Sequence, residues 1–277
     1  EAGFEAEMKQ QKDRSRAATA LDTEDWQIVH EGNNSSFAGY ESLETKTRIL
    51  KYRKVSGKGK ELYQLVLENT PFYAESGGQV GDTGTISIPA QPGEAAVTII
   101  RIINTKKEND LIIHFTEQVP AYLSGEVTAT VDRNRRKNIT VHHSVTHLMH
   151  AALRRILGTH VAQKGSLVNE EHTRFDFSHF AKMTDQELEA VEETVNEKIR
   201  ENIPVVIRSM GKEEAIEMGA MALFGEKYGD VVRVIGIGAS DKAHLNEAFS
   251  KEFCGGTHVS NTSEIGGFGI LKEESVS

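Results

Sequence analysis

The chain has one cysteine, Cys254, and five prolines among 277 residues. A single thiol excludes an internal disulfide, and with it a secreted scaffold held together by bridges; a reducing compartment, the cytoplasm, is expected. No apolar run approaches the ~20 residues a membrane-spanning helix requires. Positive charge is in deficit, with 32 Lys and Arg against 41 Asp and Glu and a net charge of −9. That argues against a protein that coats nucleic acid by bulk charge but leaves room for a local basic face. The opening EAGFEAEMKQQKDRSR is charged from its first residue and does not read as a secretory leader. It also lacks an initiator Met, so the chain is expected to be a piece of something longer. What is present suits a globular protein of about two domains: hydrophobic residues make up 38% and charged residues 26%.

The pattern along the chain changes twice. Residues 1–20 read as a helix with Phe4 and Met8 four apart. Residues 25–131 carry short β-rich runs (Thr47–Tyr52, Leu62–Leu67, Thr85–Ile88, Ala96–Ile103, Leu111–Phe115, Gly125–Val131) separated by Gly, Pro and Asn, which predicts a small β-barrel. From Asp132 the period turns helical. Val141, Val145, Leu148, Met149, Ala152 and Ile156 share one face, with His143, His147, His150, Arg154 and Arg136 opposite. A capping box, Thr184-x-x-Glu187, opens a second helix with the stripe Leu188, Val191, Val195 and Ile199, and Pro204 follows its end. Val205–Ile207 and Val231–Ile237 read as strands around a helix near Glu213–Met218, and the segment from Cys254 reads as a loop. The predicted fold class is α+β: a β-barrel domain over 25–131, then an α/β domain over 132–277.

Two pairs carry chemistry. His143-Ser-Val-Thr-His147 sets two imidazoles one helical turn apart, where both can ligate one ion. Such pairs also arise by chance, and a metallopeptidase would need Glu where Ser144 stands. Cys254-Gly-Gly-Thr-His258 can aim a thiolate and an imidazole at one point from a tight loop, although it also suits a plain turn around a buried thiol. Together they make a Cys/His₃ donor set, His143, His147, Cys254 and His258, whose softness favours one Zn²⁺. Residues 133–169 hold seven basic residues (Arg133, Arg135, Arg136, Lys137, Arg154, Arg155, Lys164) and no acid, which suits either a phosphate-bearing partner or a solvated helix balanced by acids at 185–201. The run Thr70-Pro-Phe-Tyr-Ala-Glu-Ser-Gly-Gly-Gln-Val-Gly-Asp-Thr-Gly84 puts Gly77 and Gly78 where positive φ and close backbone approach are permitted, whether for a ligand or for a hairpin.

These segments together resemble the editing region of alanyl-tRNA synthetases: TPFYAESGGQVGDTG (70–84), HHSVTHLMHAALRRILGTHVAQKGSLV (142–168), RFDFSH (174–179), GAMALFGEKYGD (219–230) and CGGTHV (254–259). Free-standing alanyl-tRNA editing proteins and part of threonyl-tRNA synthetase share the zinc motif. The resemblance implies a zinc-dependent hydrolase that clears serine or glycine from tRNA(Ala). It implies His143, His147, Cys254 and His258 as zinc ligands, Thr146 and Gln163 as editing residues, and Gly77 and Gly78 near the tRNA. Arg136, Arg154 and Lys164 are the expected tRNA contacts. Residues 1–24 would be the tail of an upstream helical tRNA-binding domain. The domain that uses ATP and Mg²⁺ to charge tRNA and the oligomerising region have no counterpart in the resemblance, so no aminoacylation is expected from this chain alone. The alternatives are a free-standing alanyl-tRNA editing protein and a zinc-stabilised tRNA-binding module without catalysis.

Overall fold

The computed structural model describes residues 22–32, 35–57, 59–90, 96–119, 122–222 and 228–275. The helix expected over residues 1–20 and part of the 219–230 motif lie outside them. The chain divides into two compact units, one holding residues up to Ala74 and Gly81–Asp132, the other Glu75–Val80 and Arg133–Ser277.

The first unit is almost entirely antiparallel sheet. Its strands run in the order Thr98–Ile102, Gly84–Ile88, Glu126–Val131, Glu44–Gly57, Lys60–Leu67, Leu111–Thr116, Asn104–Glu108, with the short pieces Asp22–Thr23 and Gln27–Ile28 paired to Glu44–Gly57. The expected closed barrel is not what forms. The two end strands of the path, Thr98–Ile102 and Asn104–Glu108, are successive pieces of chain joined at Ile103, whose N–H donates to Phe115 O. They follow one another along the chain and do not pair, so the hydrogen-bonded sheet stays open. Leu65, Val66 and Leu67 are all buried because the strand is covered on both faces. Alternation sends Leu65 and Leu67 to a large core with Phe72, Ile86 and Ile100, and Val66 to a smaller one with Leu50 and Ile113. Alternation divides Ile49 and Leu50 between the same two cores, and the pairing register shifts between Ile49 and Lys51.

The second unit packs two helices, Arg133–Leu157 and Asp185–Arg200, with a three-stranded antiparallel sheet in the order Val205–Gly211, Val231–Ile237, Ser250–Phe253, and a hairpin of Gln163–Val168 and Thr173–Phe177. Both halves of the Thr184–Glu187 capping box form, and Val191, Val195 and Ile199 face the core with Val145, Leu148, Ala152, Ile235 and Ile237. The short helix Lys212–Glu217 falls where the sequence places one. Ser250–Phe253 adds a strand that weak alternation did not announce. The long helix departs most from its wheel. Its polar face is also covered: Arg136, His143, Ser144, Thr146, His147 and His150 are all buried, and the hairpin, the Ser250–Phe253 strand and the loop that follows it all pack against the helix.

Candidate metal centre

The long helix supplies His143 and His147. The strand Ser250–Phe253, paired to Val231–Ile237, delivers Cys254 and then His258. Their four ligand atoms lie within 4.8 Å of one another. Cys254 Sγ is 3.3 Å from His143 Nε2 and 3.3 Å from His258 Nε2. The three imidazole centroids are 4.6–5.4 Å apart.

The outer ring nitrogens decide which nitrogen is left for an ion. His143 Nδ1–H donates to Gln79 Oε1 at 2.7 Å. Ser144 Oγ–H donates to Thr140 O, so the 3.1 Å contact between Ser144 Oγ and His258 Nδ1 is donated by the ring. Both Nε2 atoms are therefore unprotonated lone pairs aimed at the thiol, the tautomer a zinc ligand needs. His147 Nδ1 lies 3.2 Å from Glu252 Oε2 and is buried with no hydrogen-bond partner among the described residues. Burial holds all three imidazoles neutral, reinforced at His143 and His258 by the neighbouring rings and the Arg233 charge; at His147 Glu252 partly opposes it. Metal binding would thus not have to displace protons from these nitrogens. The donor set and its tautomers fit one Zn²⁺.

The support around the ligands was not legible in the motifs. Gln79 Oε1 accepts from Thr257 N at 3.0 Å as well as from His143, and Gln79 Nε2 donates to Thr257 Oγ1 at 3.0 Å. Arg233 donates to Cys254 O and Gly256 O at 2.8 and 2.9 Å, pinning the ligand loop to the sheet. Gly256 is required by contact, because a Cβ there would stand 2.0 Å from His143 Cε1. Glu252 is buried between two histidines. Burial pushes its carboxyl up, but His147 and His150 beside it leave it below the ordinary carboxylate range. His150 Nδ1–H donates to Glu252 Oε1 at 2.8 Å, and Nε2 is buried with no hydrogen-bond partner among the described residues, so His150 is not the solvated histidine that its place on the polar face suggested.

The glycine run reaches this unit as well. Ser76 and Gln79 exchange backbone hydrogen bonds around Gly77 (φ 58°) and Gly78 (φ 83°), the two positive φ values of a type I′ turn. The turn lies along the hairpin: Val168 N donates to Gly78 O, Val80 N to Val168 O, and a Cβ at Gly78 would meet Ser166 O at 2.7 Å. Gln163 Nε2 donates to Ser166 Oγ at 3.1 Å on that hairpin. Thr146 Oγ1 donates to His142 O at 2.7 Å and accepts from Thr173 Oγ1 at 2.7 Å. The basic run splits. Arg136 is only 5% exposed, Arg154 donates to Thr159 O and Val161 O beyond the helix end, and Arg135 pairs with Glu170 at 2.9 Å. Arg133, Lys137, Arg155 and Lys164 are exposed. Charge count alone did not reveal that Arg136 and Arg154 are committed to the fold.

Residues 1–135 match the family model of class II (A) tRNA synthetases, and residues 232–277 match that of the threonyl and alanyl tRNA synthetase second additional domain. The whole chain is 54% identical over 277 residues to an alanine–tRNA ligase of Cytophaga hutchinsonii, of which it covers 30%. It is 50% identical over 280 residues to that of Flavobacterium psychrophilum, again 30% of the relative. For the Bacteroides fragilis ligase the identity is 51% over 274 residues, 99% of this chain and 29% of the relative. The chain therefore spans less than a third of the length of these relatives.

Proposed function

We propose that this chain, homologous along its whole length to a segment of the alanine–tRNA ligases, is the proofreading part of such an enzyme and hydrolyses the ester joining serine or glycine to tRNA(Ala). The observation that carries the reading is the convergence of His143, His147, Cys254 and His258 in a chain whose last 46 residues match a domain common to threonyl and alanyl synthetases. The chemistry requires such a site. An alanine pocket cannot sterically refuse glycine, and it rejects an added hydroxyl by only about a hundredfold. ATP-driven charging with Mg²⁺ is assigned to the parent enzyme, and the cytoplasm is its proposed compartment.

When bound, zinc supplies a Lewis acid or a fixed positive charge beside the ester. The protein's own contribution is placement. Gln79, Thr257 and Ser144 hold two imidazoles with Nε2 free, and Arg233 holds the loop that carries the thiol. His150 Nε2, which has no hydrogen-bond partner among the described residues, is the group proposed to take a proton from water. Thr146 is proposed to read the amino acid. Its proton already goes to His142 O, so toward a substrate it only accepts: a serine hydroxyl can donate to it and an alanine methyl cannot. Gln163, whose amide nitrogen is engaged by Ser166, keeps its carbonyl oxygen for a second polar contact. Gly77, with no atom near the site where a Cβ would stand, and exposed Lys164 are proposed to meet the tRNA, while Gly78, Arg136 and Arg154 act by shaping the site.

The test is deacylation of Ser-tRNA(Ala), Gly-tRNA(Ala) and Ala-tRNA(Ala) by the zinc-loaded chain. Hydrolysis of the first two well above the third is expected; no hydrolysis of any refutes the proposal. Four protein donors also describe a closed structural zinc site, which favours a non-catalytic RNA-binding module as the second reading. The same assay separates the two.

A further inference from the structure

Six rings form a row that begins at His150 and leads away from the metal group. His150 lies 5.0 Å from Phe175, and Phe175 is stacked 6.0 Å from Phe177 at 25°. Phe177 lies 6.5 Å from His179, whose Nδ1 is hydrogen-bonded edge to edge with His160 Nε2 at 2.9 Å, the two rings within 20° of parallel; His160 is stacked 4.6 Å from Phe180 at 24°. The two-residue period of Thr173–Phe177 sets Phe175 and Phe177 on one face. At its inner end the row touches the metal group, because His150 hydrogen-bonds Glu252 beside His147. At its outer end Phe180 is 88% exposed, with His160 against one side of its ring.

A lone exposed phenylalanine needs no explanation. A phenylalanine stacked on one ring of a hydrogen-bonded histidine pair is held in place and presents a flat π surface to water, the surface on which unpaired nucleobases bind. The interior base pairs of duplex RNA cannot use it, since both of their faces are already stacked. The flanking charge suits the phosphates: exposed Lys164 lies on the strand paired to Thr173–Phe177, and exposed Lys182 follows Phe180 by two residues.

We infer that Phe180, His160 and His179 form a stacking platform for the unpaired nucleotides at the acceptor end of tRNA, directing that strand along the row of rings toward the metal group. The inference rests on the tRNA reading above and adds the site that receives the single strand.

The experiment titrates the zinc-loaded chain into an acceptor-stem minihelix with 2-aminopurine in its unpaired 3′ segment, and into the same stem made blunt. Wild type is expected to quench the fluorophore. Phe180→Ala should lose the quenching and bind the overhang about 5- to 150-fold more weakly. Phe180→Trp should restore both, and zinc content and blunt-stem binding should not change. Unchanged quenching and affinity in Phe180→Ala overturn the platform, as does an equal loss on the blunt stem. If wild type binds neither RNA, the platform and the tRNA reading fall together. If quenching follows Phe180 while no Ser-tRNA is hydrolysed, the platform stands and the hydrolase reading alone falls.

Discussion

His114 in the sheet unit and His143 in the helical unit are both removed from water, yet they are surrounded in opposite ways. His114 Nδ1–H donates to Leu65 O at 3.1 Å and Nε2 accepts from Thr70 Oγ1 at 2.7 Å, so both nitrogens are satisfied inside the sheet. His143 has one nitrogen satisfied, by Gln79, while the other faces a thiol and two further imidazoles. Desolvation neutralises both rings. At His114 the result is a finished structural contact; at His143 it is a lone pair held ready for an ion. A buried histidine is informative through its second nitrogen, not through its burial.

The strongest test of that contrast removes the thiol. Cys254→Ala should abolish the proposed binding of one zinc per chain, read by elemental analysis, and with it the proposed deacylation. Amide exchange should rise along Arg133–Leu157, whose histidines lose their ion, and stay slow along Leu65–Leu67. Zinc retained at full stoichiometry in this variant would break the contrast at its root.

The sheet histidine answers to protons. Burial, opposed by the bond to Leu65, pushes His114 down to about 4 from its ordinary 6.5. The unfolded chain therefore takes up a proton first as the pH falls. The stability held above pH 6.5 is lost progressively down to about pH 4, by about 3 kcal/mol in total. Urea titrations at pH 7.5 and 4.5 should show this loss, and His114→Gln should remove most of it. An equal loss in the variant would assign the acid sensitivity elsewhere.

A smaller effect is expected from Gln79→Leu, which keeps the volume and removes the acceptor of His143 Nδ1–H. Zinc affinity should fall about 10- to 100-fold, as for other groups that orient a metal-bound histidine. A competition titration against a chelator measures it, and an unchanged affinity would make Gln79 a packing residue.

Thr146→Val should have the smallest effect. With its donor spent on His142 O, the hydroxyl offers a serine substrate one accepting contact of about 1 kcal/mol. The Ser-tRNA to Ala-tRNA deacylation ratio should narrow about fivefold at normal zinc content. Glycine has no hydroxyl, so Gly-tRNA hydrolysis should not change. A ratio equal to wild type would leave Thr146 a helix residue bonded to its own backbone.

Local spacing determined a good deal by itself. Four residues on a helix is one turn, so His143 and His147 had to point the same way. Gly-Gly between Cys254 and His258 had to make a tight loop, and Thr184-x-x-Glu187 had to cap its helix. The hydrophobic period located the strand Val231–Ile237 and the core stripe of the second helix. Each of these depends on neighbours within a few residues, where backbone geometry leaves little choice. Tertiary structure alone decided the rest. It set Gln79 against Thr257 across 178 positions, brought Glu252 between His147 and His150, and buried Arg136 on a face that the wheel left polar. It also kept the sheet open at Ile103. The physical reason is the same in each case. A polar side chain's role is fixed by the partner that satisfies it after burial, and that partner belongs to a part of the chain whose approach no local period encodes.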